Sequence, residues 1–404
     1  MTFFADFNVH SKYSRGTHPD MEIPTLARWA KYKGVGLLGT GDFTHPQWLV
    51  ALKKFLKPAG RGIFDFDGVR FLLTAEVVCS FTQGGRARKI NHLLLAPHFQ
   101  AVDRIIDALE REDDLATDAV PTIRLTAEEL VSTVRKISPE AMVVPAHAWG
   151  PHHSLFSETF GFDRLEEAYG AEAVHVKALE TGLSADPSMA RRWPALDGKA
   201  LLSNSDAHHP SRIGREANLF DAPMDYREIV EAVGANDRVR FPATIEAYSQ
   251  EDRYYAGGCR ACRRPAADGE SACPSCGKTF VRGVLDRVNA LADRTPEEGR
   301  RRAERHHRLI PLADLVADAR GVQPDADSAE KEYLKLVTQV GPELDILLLW
   351  EESRLREKLP ARLVDAVLAV RREDVAVEPG YDGQPGRTKA LLPPLPADPQ
   401  LKLI

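Results

Sequence analysis

No apolar run in the chain approaches the roughly 20 residues that span a bilayer, and the N-terminus lacks a basic region followed by an unbroken apolar stretch. Membrane and secretory readings fall away, and a cytoplasmic protein is expected. Positive charge is not in excess either. With 53 Lys and Arg against 59 Asp and Glu the formal net charge is −6, so a phosphate track would be confined to local patches such as GGRARK at 84–89 or GRRRAERHHR at 299–308. Cysteine is scarce: of five, Cys79 lies in the apolar stretch FLLTAEVVCSF as a small buried hydrophobe, and the other four fall between Cys259 and Cys276. That clustering argues against a disulfide framework. Internal repeats are absent as well.

What is present is an ordinary globular composition, 43% hydrophobic and 28% charged, over 404 residues, which suggests two or three domains. Up to about residue 245, short apolar runs (FFADFNV, VGLLGTGD, FLLTAEVV, NHLLLA, MVVPAH, VHVKALE, KALLSNSD, ANLF) alternate with amphipathic stretches. The latter include IPTLARWAKYKG, PQWLVALKKFLK, AVDRIIDALERE and TAEELVSTVRKI, the last opening on a Thr126 to Glu129 capping-box spacing. Strand–helix alternation predicts a parallel sheet, and this many units favour a closed or nearly closed barrel. Near residue 250 the chain turns rich in Gly, Cys and polar residues. After 280 it reads as helical, with AEKEYLKLVTQV and PELDILLLWEESRLREKL amphipathic. The tail from about 378 is dense in Gly and Pro.

Cys259-x2-Cys262 and Cys273-x2-Cys276 form two chelating knuckles, the spacing of a structural zinc site closed by four thiolates; a redox pair is the alternative. A second set sits mainly at strand ends: His10, Asp42, Glu76, His147, Glu180, and Asp206 with His208, while His92 opens its run rather than closing it. Parallel strands point their carboxyl ends to one face, so one cup would collect these side chains. Imidazoles mixed with carboxylates suit zinc, manganese or iron better than calcium, and a bridging carboxylate such as Glu76 would hold two ions. Residues two apart on an extended segment point the same way, which aims Asp206 and His208 together.

These residues carry a resemblance. VHSKYS, GTGD at 39–42, Glu76, NHLLL, PAH at 145–147, ETGLSAD at 180–186 and SNSDAH at 203–208 resemble, in this order, the motifs of the PHP (polymerase and histidinol phosphatase) superfamily. With the four-cysteine module, a helical C-terminal region and the PGYDG motif at 379–383, the chain more narrowly resembles the endonuclease Q family. The resemblance implies an α/β fold: a distorted TIM-like (β/α)7 PHP barrel over residues 1–250, a zinc module over 251–285 and a helical DNA-contacting region over 286–404. It implies a metal-dependent DNA repair endonuclease that cuts 5′ of uracil, hypoxanthine, xanthine or an abasic site, leaving a 3′-hydroxyl and a 5′-phosphate. DNA is then the partner, and two or three divalent ions (Zn, Mn or Mg) sit in the barrel.

Position by position, it implies Asn8, His10, Glu76 and Asp206 around one metal, Glu76 bridging to a second held by His92 and His147, and Asp42 with His208 at a third. Asp206, His208, Glu76 and His10 carry the catalytic work, and His18 is a candidate further ligand. One departure stands out: the family pattern is His-x-His, whereas this chain reads Asn8-Val9-His10. A neutral amide is a weaker zinc ligand than imidazole, which leaves open a harder ion such as Mg or Mn at that position, or a catalytically impaired DNA-binding relative. A PHP phosphatase acting on a small phosphomonoester would account for the barrel but not for the added module.

Overall fold

Two glycines decide the shape of the central sheet. Gly84 and Gly85 sit at φ +59° and +72°, the left-handed values that a two-residue hairpin turn requires. They fold Val69–Gln83 back onto Arg86–Ala96 in unbroken antiparallel register, from Leu73 opposite Ala96 to Gln83 opposite Arg86. The computed structural model describes residues 1–267, 270–323 and 326–392.

The strands that position the site are β1 (Thr2–Asp6), β2 (Val35–Gly39), β3 (Val69–Gln83), β4 (Arg86–Ala96), β5 (Met142–Pro145), β6 (Ala178–Glu180), β7 (Ala200–Leu202), β8 (Ala217–Asp221), β9 (Ala243–Ala247) and β10 (His306–Leu309). Pairs β1–β2, β2–β3 and β9–β10 run parallel, whereas β1–β8, β8–β9, β3–β4 and β4–β5 run antiparallel. The sheet is therefore mixed, which corrects the parallel sheet expected from strand–helix alternation. A tight Gly-Gly turn leaves no room for the helical crossover that a parallel neighbour needs. β6 and β7 form a separate parallel pair. It is tied to the chain after β5 by the Ala148 N–H donating to the Glu180 carbonyl (2.9 Å), and to the continuation of β1 by the His10 N–H donating to the Ala207 carbonyl (3.0 Å).

Side-chain alternation splits the core in two. Ala5, Leu37, Leu72, Leu93, Val144 and Leu202 share one buried cluster enclosed by the strands. Their neighbours Leu38, Leu73, Leu94, Val143 and Leu201 belong to an outer cluster packed against helices. The four expected helices form over Ile23–Lys33, Pro46–Phe55, Phe99–Leu109 and Ala127–Ile137. In the last, the Glu129 N–H donates to Thr126 Oγ1 (3.1 Å) and the Thr126 N–H to Glu129 Oε2 (2.8 Å), closing the capping box.

Downstream of the cysteine module the structure departs from a purely helical reading. Part of GRRRAERHHR forms the helix Pro296–Arg302, but His306–Leu309 becomes β10 and extends the main sheet beside β9. The stretch PELDILLLWEESRLREKL is also not one helix. A π turn over Asp345–Leu349 gives way to an extended Trp350, and Glu352–Lys358 then resumes the helix. Burial of the Trp350 ring, with the Arg354 guanidinium 3.9 Å from its centre, accounts for the break. Part of the Pro-rich tail and of the expected C-terminal region, residues 393–404, lies outside the described residues. Among those described, no helix is long and apolar enough to cross a membrane.

Candidate active site

The segments leaving β1, β2, β5 and β7 carry His10, Asp42, His147 and Asp206 to one place, where β3 presents Glu76 from its inner face. His10 lies at the centre: its Nδ1 is 3.2 Å from Asp42 Oδ1 and its Nε2 is 3.0 Å from Asp206 Oδ1 and 3.8 Å from Glu76 Oε2. Asp42 is held in turn by the Ser11 N–H (2.6 Å) and hydroxyl (2.7 Å). His208 brings Nδ1 to 3.5 Å from Asp206 Oδ1 and its ring to 4.3 Å from that of His10. On the other side of Glu76, Oε1 is 3.3 Å from His147 Nε2. Asn8 donates through Nδ2 to Glu76 Oε2 (3.0 Å) and approaches Glu180 Oε2 (3.4 Å). Asp42, His147 and Asp206 all adopt positive φ, at +53°, +30° and +49°. Such left-handed backbone is unusual for side-chain-bearing residues and clusters at functional sites.

The electrostatics match a place built for cations. Burial opposes the charge of Glu76, yet the His147 and His10 imidazoles hold it down to about 2. Burial likewise opposes a charged His147, but Glu76 and its hydrogen bond push that imidazole up to about 9. Desolvation is overcome at His10 too, where hydrogen bonds to Asp206 and Asp42 raise it well above the ordinary histidine value. Glu180, with less compensation for its burial, is pushed up to about 7. These buried carboxylates lean on protonated imidazoles, a role that divalent cations can take over. His10, Asp206 and His208 bring ligand atoms within 4.8 Å of one another, and so do the four module cysteines. Cys259 Sγ and Cys276 Sγ are 3.7 Å apart, close to the roughly 3.8 Å edge of a tetrahedron with metal–sulfur bonds of about 2.3 Å.

Not every expected residue arrives. His92 does not reach Glu76, and its assignment as a ligand is corrected: it points to the outer layer, fully buried, with Nε2 2.8 Å from the Tyr169 hydroxyl. Burial takes its pKa down to about 3. Its neighbour Asn91 faces inward instead, with Nδ2 donating to Glu76 Oε1 and lying 3.4 Å from His147 Nε2. Asp42 and His208 do not pair, because Asp42 binds the Nδ1 end of the His10 ring and His208 sits by Asp206 at the Nε2 end. His18 packs edge-on against His209 at 4.6 Å. The basic hairpin tip is engaged rather than free: Arg86 donates to the Glu158 carbonyl, and Arg88 to the Gly161 carbonyl while covering the Phe162 ring.

No family model matches the chain. In sequence it is 26% identical, over 372 residues covering 90% of this chain and 91% of its relative, to the uncharacterized protein YqxK of Bacillus subtilis strain 168. Its fold superposes on the lesion-specific endonuclease PfuEndoQ from Pyrococcus furiosus with a TM-score of 0.85 and 29% identity, over 96% of this chain and 95% of that one. A second match, an endonuclease Q in complex with a 27-mer duplex substrate carrying an abasic lesion at the active site, gives a TM-score of 0.84 and 28% identity over 97% of both chains. The chain is similar to endonuclease Q over nearly its whole length.

In this endonuclease Q relative, the PGYDG motif joins the C-terminal region to the cysteine module. The Arg260 N–H donates to Asp382 Oδ2 (2.6 Å), and the Ala256 N–H to the Gly380 carbonyl (3.1 Å). Sequence reasoning passed over Asn91, whose only signal was its place one residue before His92. It noted Glu180 at a strand end without giving it a role. The structure binds the Glu180 carboxylate to the His147 N–H (2.7 Å) and to Asn204 Nδ2 (2.9 Å), so it fixes the loop that carries His147. The His92 correction has a measurable consequence. His92→Leu is expected to leave barrel metal content unchanged while lowering stability by about 1–3 kcal/mol, because the Tyr169 hydroxyl loses its buried partner. Metal analysis beside a denaturant melt checks this; loss of a bound ion would restore His92 as a ligand.

Proposed function

We propose that this chain is a cytoplasmic, metal-dependent DNA repair endonuclease that hydrolyses the phosphodiester 5′ of uracil, hypoxanthine, xanthine or an abasic site. The observation that carries the reading is the match over 97% of the chain to an endonuclease Q holding abasic DNA at its active site. We read β1 to β8 as a distorted PHP barrel within residues 1–250, the four cysteines of 251–285 as a structural zinc site, and the region from 286 as a DNA-facing part. A small-phosphomonoester enzyme would leave the module and the C-terminal region without a purpose.

The donor set fits divalent ions around Glu76: His10, Asp206 and His208 on one side, His147 on the other, with Asn8 and Asn91 flanking the carboxylate. Ions bound there would supply charge compensation for the scissile phosphate and activation of water. The remaining work belongs to the chain. Asp42 accepts from His10 Nδ1 and thereby fixes the tautomer and ring plane, leaving Nε2 to face the centre. Ser11 pins Asp42 in turn. Asp206 is aimed by its left-handed backbone, and Arg215, which donates to the Ser205 carbonyl (2.8 Å), steadies that loop.

Cleavage of 5′-labelled duplexes carrying one uracil, hypoxanthine, xanthine or abasic residue, with Mg²⁺ or Mn²⁺, tests the reading. A single cut immediately 5′ of the lesion is expected, with an undamaged duplex left whole. Folded, zinc-replete protein that cuts none of these with either ion would overturn it in favour of an impaired DNA-binding relative.

A further inference from the structure

The helix Val284–Leu291 follows directly on the cysteine module, and its Arg287 reaches across to the loop that leaves β5. That loop carries His147 and runs on to the short helix Leu165–Tyr169 with no helix or strand between, so the carbonyls of its buried residues depend on donors from elsewhere in the chain. One guanidinium supplies two of them: Nε donates to the Phe156 carbonyl (2.7 Å) and Nη2 to the Phe162 carbonyl (3.1 Å), with the Asp163 carboxylate alongside. The Arg287 side chain is 15% exposed and that of Asp163 is 67% exposed, so the carbonyl bonds, more than the ion pair, fix the guanidinium.

We infer that Arg287 is a positioning residue for the cleavage reaction: by clamping Phe156 and Phe162 it sets the loop that places His147 beside Glu76. The inference rests on the functional reading in taking that place as the reacting centre. The contacts from Arg287 to His147 are continuous. Phe156, fully buried, donates its own N–H to the Ala148 carbonyl (2.9 Å), while the Ala148 N–H donates to the Glu180 carbonyl (2.9 Å), so the residue after His147 is held at both of its backbone groups. Ser154, also buried, gives its hydroxyl proton to the His152 carbonyl (2.9 Å) and accepts from His147 Nδ1 at 3.3 Å, which turns Nε2 toward Glu76. The loop is folded too tightly to take up slack, since a Cβ on Gly161 would stand 2.4 Å from the Leu155 carbonyl oxygen. His147 itself sits at φ +30°, a backbone that persists only where its surroundings impose it. Lysine would not replace the clamp, because an ammonium lacks the planar fork that spans the Phe156 and Phe162 carbonyls.

Steady-state cleavage of an abasic duplex by the full-length Arg287→Ala variant, well below its melting transition, tests this. Turnover is expected to fall roughly 10- to 100-fold, the scale set by a displaced reacting group, with KM unchanged. A raised KM with kcat unchanged would make Arg287 a DNA contact and overturns the inference, as does a kcat equal to that of the natural chain. Should the alanine variant not fold, Arg287→Lys, which keeps length and charge but not the fork, is read in the same way. Hydrogen exchange supplies a readout without turnover: the Ala148 and Phe156 amides are expected to exchange faster in the variant, while the β3–β4 hairpin stays protected. Unchanged protection at those two amides sinks the inference whether or not the natural chain cuts lesion DNA. A natural chain that cuts nothing, with the two amides loosened in the variant, sinks the functional reading alone.

Discussion

Asp206→Asn is expected to reduce lesion-dependent cleavage by about 100- to 1,000-fold while leaving the fold and the module metal in place. Removing one electrostatic contributor from a preorganised site typically costs that much, and Asp206 stands at the point where two imidazoles converge, 3.0 Å from His10 Nε2 and 3.5 Å from His208 Nδ1. Asparagine is the informative substitution because Asp206 sits at φ +49°, a left-handed conformation that Asn tolerates and most other residues resist. The charge is removed and the loop keeps its shape. Alanine would add a backbone penalty to the chemical one. Steady-state cleavage of an abasic duplex, read beside a thermal melt and metal content, separates the two effects. Activity within a few-fold of the natural chain would remove Asp206 from the centre.

The second large effect is structural. Cys273→Ser is expected to release the module metal and to open residues 258–283 to protease while the barrel persists. Among the described residues the module has almost no core of its own: its buried cluster is Cys259, Cys273 and Phe280. Its pairing is equally thin, two residues of antiparallel strand and isolated bridges such as Ala272 with Thr279. Structural zinc supplies about 10–16 kcal/mol to units of this kind, far more than those contacts provide. Because Arg260 and Ala256 contact Asp382 and Gly380, loosening is expected to spread to the PGYDG segment. Limited proteolysis with mass spectrometry reads the result. A zinc-free variant with unchanged cleavage sites would show that the module folds without its metal.

The positions of these residues in the chain explain which were legible beforehand. Thr126 and Glu129 cap a helix through contacts three residues apart, and the cysteines that gather into one cluster fall in two Cys-x2-Cys pairs, so local spacing was sufficient to pick out both. His10, Asp42, His147 and Asp206 follow strands and share an edge, which the order of apolar runs conveyed. His92 failed for a definite reason: along a strand, neighbours face opposite sides, so a one-residue difference decides between the centre and the outer layer. Pairing of Leu93 with Glu76 puts Asn91 on the inner side and His92 on the outer. In NHLLLA nothing local chooses between the two phases.

Composition and spacing were enough to name the strand-helix body and the four-cysteine cluster, which depend on neighbours close in the chain, while the order of strand-end motifs pointed to most of the acidic and imidazole cluster, whose members lie as far apart as His10 and Asp206. The mixed direction of the sheet, the capture of His306–Leu309 as an edge strand, the inward amide of Asn91 and the bracing of His147 by Glu180 emerged only on folding. Apart from the local Gly84–Gly85 hairpin, which fixes the phase of Asn91 against Glu76, these features depend on partners far away in the chain, such as Thr2 opposite Asp221. Their pairing is selected by burying one face of each strand and leaving no buried carboxylate without a donor.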